Sequence, residues 1–295
     1  MTEAALRPLP EGMRRPGIAR GLTSVFAHRY LLTLLVRKEL RVRYQASVLG
    51  LAWSYVKPGA QFAVFYFVMG EFLNLSRALP PFAIFLFSGI IVINLFTEIL
   101  GNTTRSIVQN APLVKKIFLP RQLFPMASVL VALVHFLPQV VILVVGALVS
   151  GWRPDLMAVL AALLGLALVI ALALGLGLIF AAVNVAFRDI ENTVDLITMV
   201  AVWFSPVLYP VLLVQEHFGP DSWLTRLYEA NPLTVAVELF HRAFWWPAAD
   251  PAIRDGAIID DVMLRGGIAL LACTVLLVIG DRVFTRVSRK FAQEL

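Results

Sequence analysis

The chain has 295 residues, of which 59% are hydrophobic and only 15% charged, with a mean hydropathy of +0.82 and a formal net charge of +6. Soluble domains carry roughly a quarter charged residues, so these proportions exclude a water-soluble enzyme and imply an all-α, polytopic integral membrane protein. The single cysteine, Cys273, excludes an intramolecular disulfide and a cysteine metal cluster.

Residues 1–22 are rich in Pro, Gly and Arg and contain no apolar stretch of signal-peptide length, which predicts a disordered cytoplasmic tail. An amphipathic interface segment is expected over 23–52. Its helix begins at Ser24, a suitable N-cap, and runs to Tyr44. Arg37, Lys38 and Arg41 share one face, and Leu31, Leu32, Leu35, Val36, Leu40 and Val42 form a broad apolar arc opposite. Glu39 and Arg43 intrude on that arc at i,i+4 spacing, where they can pair. A basic amphipathic helix of this kind lies on a membrane rather than crossing it.

Six apolar blocks follow over 53–285, each near the length of about 20 residues that crosses a hydrocarbon core. They run Trp53–Leu75, Phe82–Gly101, Leu123–Val149, Leu156–Phe187, Thr193–Val214 and Met263–Val283. The sixth is the weakest and leans on Arg265 and Arg282 reaching outward. Glu71, Glu98 and Asp195 are expected near span ends, and His135 in mid-span as a hydrogen-bonded packing residue. Between blocks five and six, Pro220, Pro232, Pro247 and Pro251 punctuate a polar and aromatic stretch. It predicts short amphipathic, re-entrant helices in the last extracytoplasmic loop, at the depth where Trp and Tyr are favoured. Residues 286–295 form a second cytoplasmic tail. With the N-terminus inside, 19 of the 25 Lys and Arg residues fall on the cytoplasmic side. This obeys the positive-inside rule and puts both termini in the cytoplasm.

No lysine follows a glycine, so no Walker A motif exists, and there is no H-E-x-x-H or G-x-S-x-G. Glu238 and His241 have helical spacing but lack a third metal ligand, and Asp260–Asp261 is not a repeated-aspartate transferase motif. No catalytic residues and no metal are expected. An ion-driven carrier buries ionisable groups at the midplane or repeats broken helices in two halves; neither pattern is seen, so the energy source is expected on another chain. The basic stripe at 29–57 is too close to the membrane for nucleic acid. Attraction to anionic lipid accounts for it at about 1 kcal/mol per cation; an anionic head group or a cytoplasmic subunit is the functional alternative.

Five stretches, in this order, resemble the membrane subunit of an ABC-type-2 polysaccharide exporter, the Wzm class that pairs with a separate Wzt-type ATPase. They are "VRKELRVRYQASVLGLAWSYVKPG", "NAPLVKKIFLPRQLFP", "NVAFRDIENTVDL", "SPVLYP" and "NPLTVAVELFHRAFW". The Arg/Pro-rich tail and the Ala, Val, Leu and Arg bias are similar to actinobacterial members that export cell-wall galactan. The resemblance implies a homodimer with two ATPases, which bind the ATP and Mg, in the bacterial inner membrane. It implies a polyprenyl-diphosphate-linked glycan as cargo, admitted beside the interface helix at Arg29, Arg37, Lys38, Arg41 and Arg43. Coupling helices against the ATPases correspond to Thr103–Lys116, with Lys115 and Lys116, and to Phe187–Glu191, with Arg188, Asp189 and Glu191. A sliding glycan needs aromatic faces with hydrogen-bonding edges, for which Tyr66, Trp203 and Tyr209 are the candidates. An exporter of a small amphiphile and a polytopic glycosyl- or phosphotransferase are the alternatives; the latter needs a cytoplasmic aspartate-rich metal site that the sequence lacks.

Overall fold

The computed structural model describes residues 21–295 apart from Ala46, Leu49, Phe118 and Asp255, and leaves aside the side chains of Leu51, Lys290, Ala292 and Gln293. The tail expected over 1–22 thus lies outside the described residues, except for Gly21 and Leu22. Among the described residues all regular structure is helical. The N-terminal segment forms α1 (Thr23–Ala27) and α2 (Arg29–Tyr44), separated by a break at His28. α3 (Trp53–Phe65) passes directly into a π-helix (Tyr66–Phe72), and a short α4 (Leu75–Ala78) follows. Then come α5 (Phe82–Gln109), α6 (Ala111–Lys116), α7 (Leu123–Val149), α8 (Leu156–Asn184) and α9 (Ile190–Ala201). The remainder comprises α10 (Val211–Phe218), α11 (Trp223–Ala230), α12 (Pro232–Phe240) with a π-turn (His241–Trp245), α13 (Pro251–Arg254), α14 (Val262–Val287) and α15 (Phe291–Glu294).

Among the described residues, four helices are long and apolar enough to cross a membrane: α5, α7, α8 and α14, with 28, 27, 29 and 26 residues. They carry expected blocks two, three, four and six. α14 is continuous well beyond the short uncharged core that made block six look weak. Block one is α3 and its π-helical continuation, which contain Lys57, Pro58 and Glu71. Block five is not one helix: α9 ends at Ala201, turns occupy 202–209, and α10 starts after Pro210. Pro206 and Pro210 lack the N–H a helix requires and push the residue before them toward extended backbone. The Tyr209 hydroxyl fixes the turn by donating to the Trp203 carbonyl at 2.5 Å.

α5 is the interior helix, with 72% of its apolar window buried, whereas the window of α14 is 17% buried. α8 packs on both. It does so through small residues, as membrane helices do where backbones approach closely. A Cβ added at Gly280 of α14 would sit 2.5 Å from the Gly175 carbonyl oxygen of α8. α12 departs from the expected interfacial helix. Asn231 caps it by accepting from Leu233 N–H at 3.0 Å, and Pro232 begins it. Every residue from Leu233 to Phe240 is buried, against α8, α14 and α5. Its sequence is apolar on nearly all sides, so it belongs in the core. α11, which exposes Trp223 and Leu227, fits the amphipathic expectation better.

Candidate functional site

The start of α1 lies at one end of the bundle, where Leu22 N–H donates to both Asp281 carboxylate oxygens at 3.1 Å near the end of α14. Further along, Lys38 donates to the Asn110 side chain at 2.5 Å, just past the end of α5. The last turn of α2 reaches Glu98, eleven residues inside α5. At 1.5 Å per residue that is about 16 Å below the helix end. α2 therefore runs beside α7 toward the middle of the bundle instead of lying across its end. Leu31, Leu32, Leu35 and Val36 pack it on the core, and at its end Arg43 does not pair with Glu39, as the spacing suggests, but with Glu98 at 2.5 Å. Glu39 accepts from Lys38 at 3.0 Å and from Asn110 at 3.3 Å.

Glu98 is also not near a span end, because α5 continues to Gln109. Its Oε1 accepts from His135 Nδ1 at 2.6 Å as well as from Arg43. In that tautomer His135 Nε2 accepts from the Tyr44 hydroxyl at 2.7 Å, and Ser54 donates to Tyr44 at 2.8 Å. One chain of hydrogen bonds thus joins α2, α3, α5 and α7. His135 is the hydrogen-bonded packing residue that its position implied, with a carboxylate partner in addition.

This network walls a cavity of about 760 Å³ between α2, α3, α5 and α7. Three cations, Arg43, Lys57 and Arg105, face it against one carboxylate, Glu98, and Gln61, Asn94, Asn102 and Gln139 supply uncharged polar groups. A second polar cavity of about 470 Å³ shares Arg43 and Asn102 and extends along α2 past Lys38 to Asn110. An apolar pocket of about 230 Å³, lined by Tyr55, Phe62, Ile84, Phe87 and Leu143 among others, shares Pro58 and Gln139 with the first cavity. A cationic chamber thus opens beside an apolar slot within a membrane helix bundle.

A family model described as "ABC-2 type transporter" matches residues 30–245. The chain belongs to the ABC-2 type transporter family. This transporter chain is also 27% identical over 271 residues to the O-antigen export system permease protein RfbA of Klebsiella pneumoniae, covering 90% of the chain and 95% of that protein. It is 27% identical over 244 residues to the protein of the same name from Myxococcus xanthus, covering 81% of the chain and 90% of the relative.

Of the five cations expected to receive a diphosphate, the transporter brings Arg43 to the first cavity and both Lys38 and Arg43 to the second. Arg29, Arg37 and Arg41 are exposed and line neither cavity, with no carboxylate among the described residues in ion-pair reach. Lys115 and Lys116 are exposed at the end of α6, and Arg188 and Asp189 are exposed in the α8–α9 turn. Glu191 turns inward instead, accepting from Arg105 at 3.1 Å and from Asn184 at 3.0 Å. The three aromatics do not meet as one surface. Tyr66 packs against Phe62 and Phe82 with ring centroids 5.7 and 6.0 Å away. Trp203 is 51% exposed, and Tyr209 spends its hydroxyl on the Trp203 carbonyl and stacks on Tyr228 at 6.5 Å.

Glu98, Lys57 and Arg105 were not legible as members of one site: Glu98 was expected near a span end, Lys57 in the basic stripe and Arg105 within the coupling segment Thr103–Lys116. The available signal was weak: a lone acid and a lone histidine in successive apolar blocks, each needing a partner inside a membrane.

Proposed function

We propose that this chain is the transmembrane subunit of an ATP-driven exporter that moves a lipid-diphosphate-linked polysaccharide outward across the bacterial inner membrane. The observation that carries the reading is the junction of the two unlike cavities. A lipid diphosphate has an anionic head on an apolar tail; the cationic chamber and the apolar slot that meet at Pro58 and Gln139 offer the same polarity. Guanidinium groups bind phosphate oxygens through paired forks, and charge-assisted bonds are about twice as strong as neutral ones. Similarity over nine-tenths of the chain to permeases named for O-antigen export supports a glycan cargo, O-antigen-like or a cell-wall galactan.

In this reading the continuous helix Trp53–Phe72 and the broken α9–α10 segment complete six crossings, with both termini in the cytoplasm. Two copies of the chain work with two ATPase subunits of the Wzt type, which bind ATP and Mg. Lys115, Lys116, Arg188 and Asp189 dock those subunits, and Glu191 holds the α8–α9 turn to the bundle. Tyr66, Trp203 and Tyr209 contribute aromatic faces to the glycan path. A small-amphiphile exporter would have use for the apolar slot but none for three cations beside it.

The test is glycan export in cells carrying Arg43→Gln or Lys57→Gln, with membrane levels of the subunit matched. Each is expected to lower export about tenfold, the loss of one charge-assisted contact. Wild-type export in both variants would refute the reading.

A further inference from the structure

Arg105 stands where two parts of the molecule meet. It lies in the last turns of α5 and lines the cationic cavity. On its other side Nε donates to Glu191 at 3.1 Å and Nη2 donates to Asp195 at 2.6 Å. Glu191 and Asp195 are i,i+4 on α9, so one guanidinium clamps one face of that helix. Asn184, the last residue of α8, donates to the second Glu191 oxygen at 3.0 Å and to the Thr104 carbonyl at 3.3 Å. The turn between α8 and α9 is thereby tied to α5, while Phe187, Arg188 and Asp189 project from it. Apart from these bonds α9 is held by two buried side chains, Val194 and Ala201, and by Ile190 and Ile197, which pack partly against the core.

We propose that Arg105 is a latch that reports an anionic head group in the cavity to the α8–α9 turn. The inference rests on the reading that the cavity receives a lipid diphosphate. Nη1 takes part in neither carboxylate bond and is the arm left for a phosphate oxygen. A diphosphate drawn to that arm brings two or more negative charges next to Glu191 and Asp195. Repulsion and competition for the same guanidinium then loosen the clamp, and α9, with two buried anchors, is freed to move with the turn. The coupling is reciprocal: whatever the diphosphate takes from the carboxylates, the carboxylates take from diphosphate affinity. Removing the carboxylates therefore tightens head-group binding, and partly exposed ion pairs of this kind set the effect at about fivefold. A merely structural Arg105 gives the opposite sign, because a slack α9 would leave the cavity wall less ordered.

The experiment uses the permease assembled with its ATPase in lipid nanodiscs and geranylgeranyl diphosphate as the probe. In the wild type, the probe binds and stimulates ATP hydrolysis. Asp195→Asn, at a carboxylate 62% exposed and so no threat to the fold, and the double variant Glu191→Gln/Asp195→Asn are compared with it. The latch requires raised hydrolysis without probe, no further stimulation by it, and binding about fivefold tighter in the double variant, with the single variant between. Unchanged stimulation, or binding that is equal or weaker in the double variant, overturns the latch while leaving the cavity reading intact. Failure of the wild type to bind the probe brings down the cavity reading and the latch with it.

Discussion

Two Glu–His pairs sit inside this apolar bundle, and they are built differently. Glu98 and His135 are 2.6 Å apart, with Arg43 and Tyr44 completing their bonds from a helix more than fifty residues away in sequence. Glu98 is 19% exposed and opens on the cationic cavity. Glu238 and His241 are fully buried and 3.8 Å apart. His241 donates from Nε2 to the Phe85 carbonyl at 3.1 Å and stacks on the Phe85 ring at 3.9 Å, but among the described residues its Nδ1 and both Glu238 oxygens find no hydrogen-bond partner. The same two side chains thus make a solvated, fully bonded wall in one place and a sealed packing element in the other. Burial inside a membrane protein does not by itself mark a working group; the working pair is the one with a route to it.

The largest effect that tests this contrast is on stability. His241→Ala removes a sealed ring and should cost about 3–5 kcal/mol, as large-to-small core changes do, visible as a lowered Tm in detergent and little chain in the membrane. The double replacement Glu238→Leu/His241→Phe fills the space with apolar groups, and such swaps of buried polar pairs are often neutral or better. It should reach the membrane and export at half the wild-type rate or more. The matching replacement Glu98→Leu/His135→Phe should also reach the membrane, yet lower export about tenfold, because it strips Arg43 of its anchor. If both doubles export alike, the distinction between the two pairs fails. A smaller effect is expected of Arg43→Lys, which keeps the charge but loses the fork: export should fall about threefold at matched membrane levels. Smallest are Arg37→Gln and Arg41→Gln, which line neither cavity. Each contributes about 1 kcal/mol to general lipid attraction, so export should stay within about a factor of two.

The long apolar blocks made α5, α7 and α8 readable, because about 20 uncharged residues in a row have few other fates, while α14, with a shorter uncharged core between Arg265 and Asp281, was the weakest to read. What local pattern could not supply was where polar residues meet. The α2 helix pattern was legible, apart from the break at His28. The direction of Arg43 was not, since Glu39 offered a nearer partner in sequence and Glu98 a better one in space. Block five was legible as an apolar segment but not as a broken one: Pro206 and Pro210 and the Tyr209 hydroxyl bond interrupt the helix between α9 and α10. α12 was not legible as a core helix because Pro232 and the polar, aromatic composition of the surrounding stretch read as interfacial, while its own apolar residues pack against α5, α8 and α14.

The central claim is that the chamber between α2, α3, α5 and α7 receives a lipid diphosphate. Its most direct test is photo-crosslinking in native membranes, using a polyprenyl diphosphate that carries a small diazirine on its first isoprene unit, followed by peptide mapping. Labelling is expected at Ser54–Phe62 and at Ile84–Phe87 or Gln139–Gly146, where the apolar slot meets the cavity, and should be lost in Arg43→Gln. Labelling confined to α10–α13, or labelling of α3 that persists unchanged in Arg43→Gln, would contradict it.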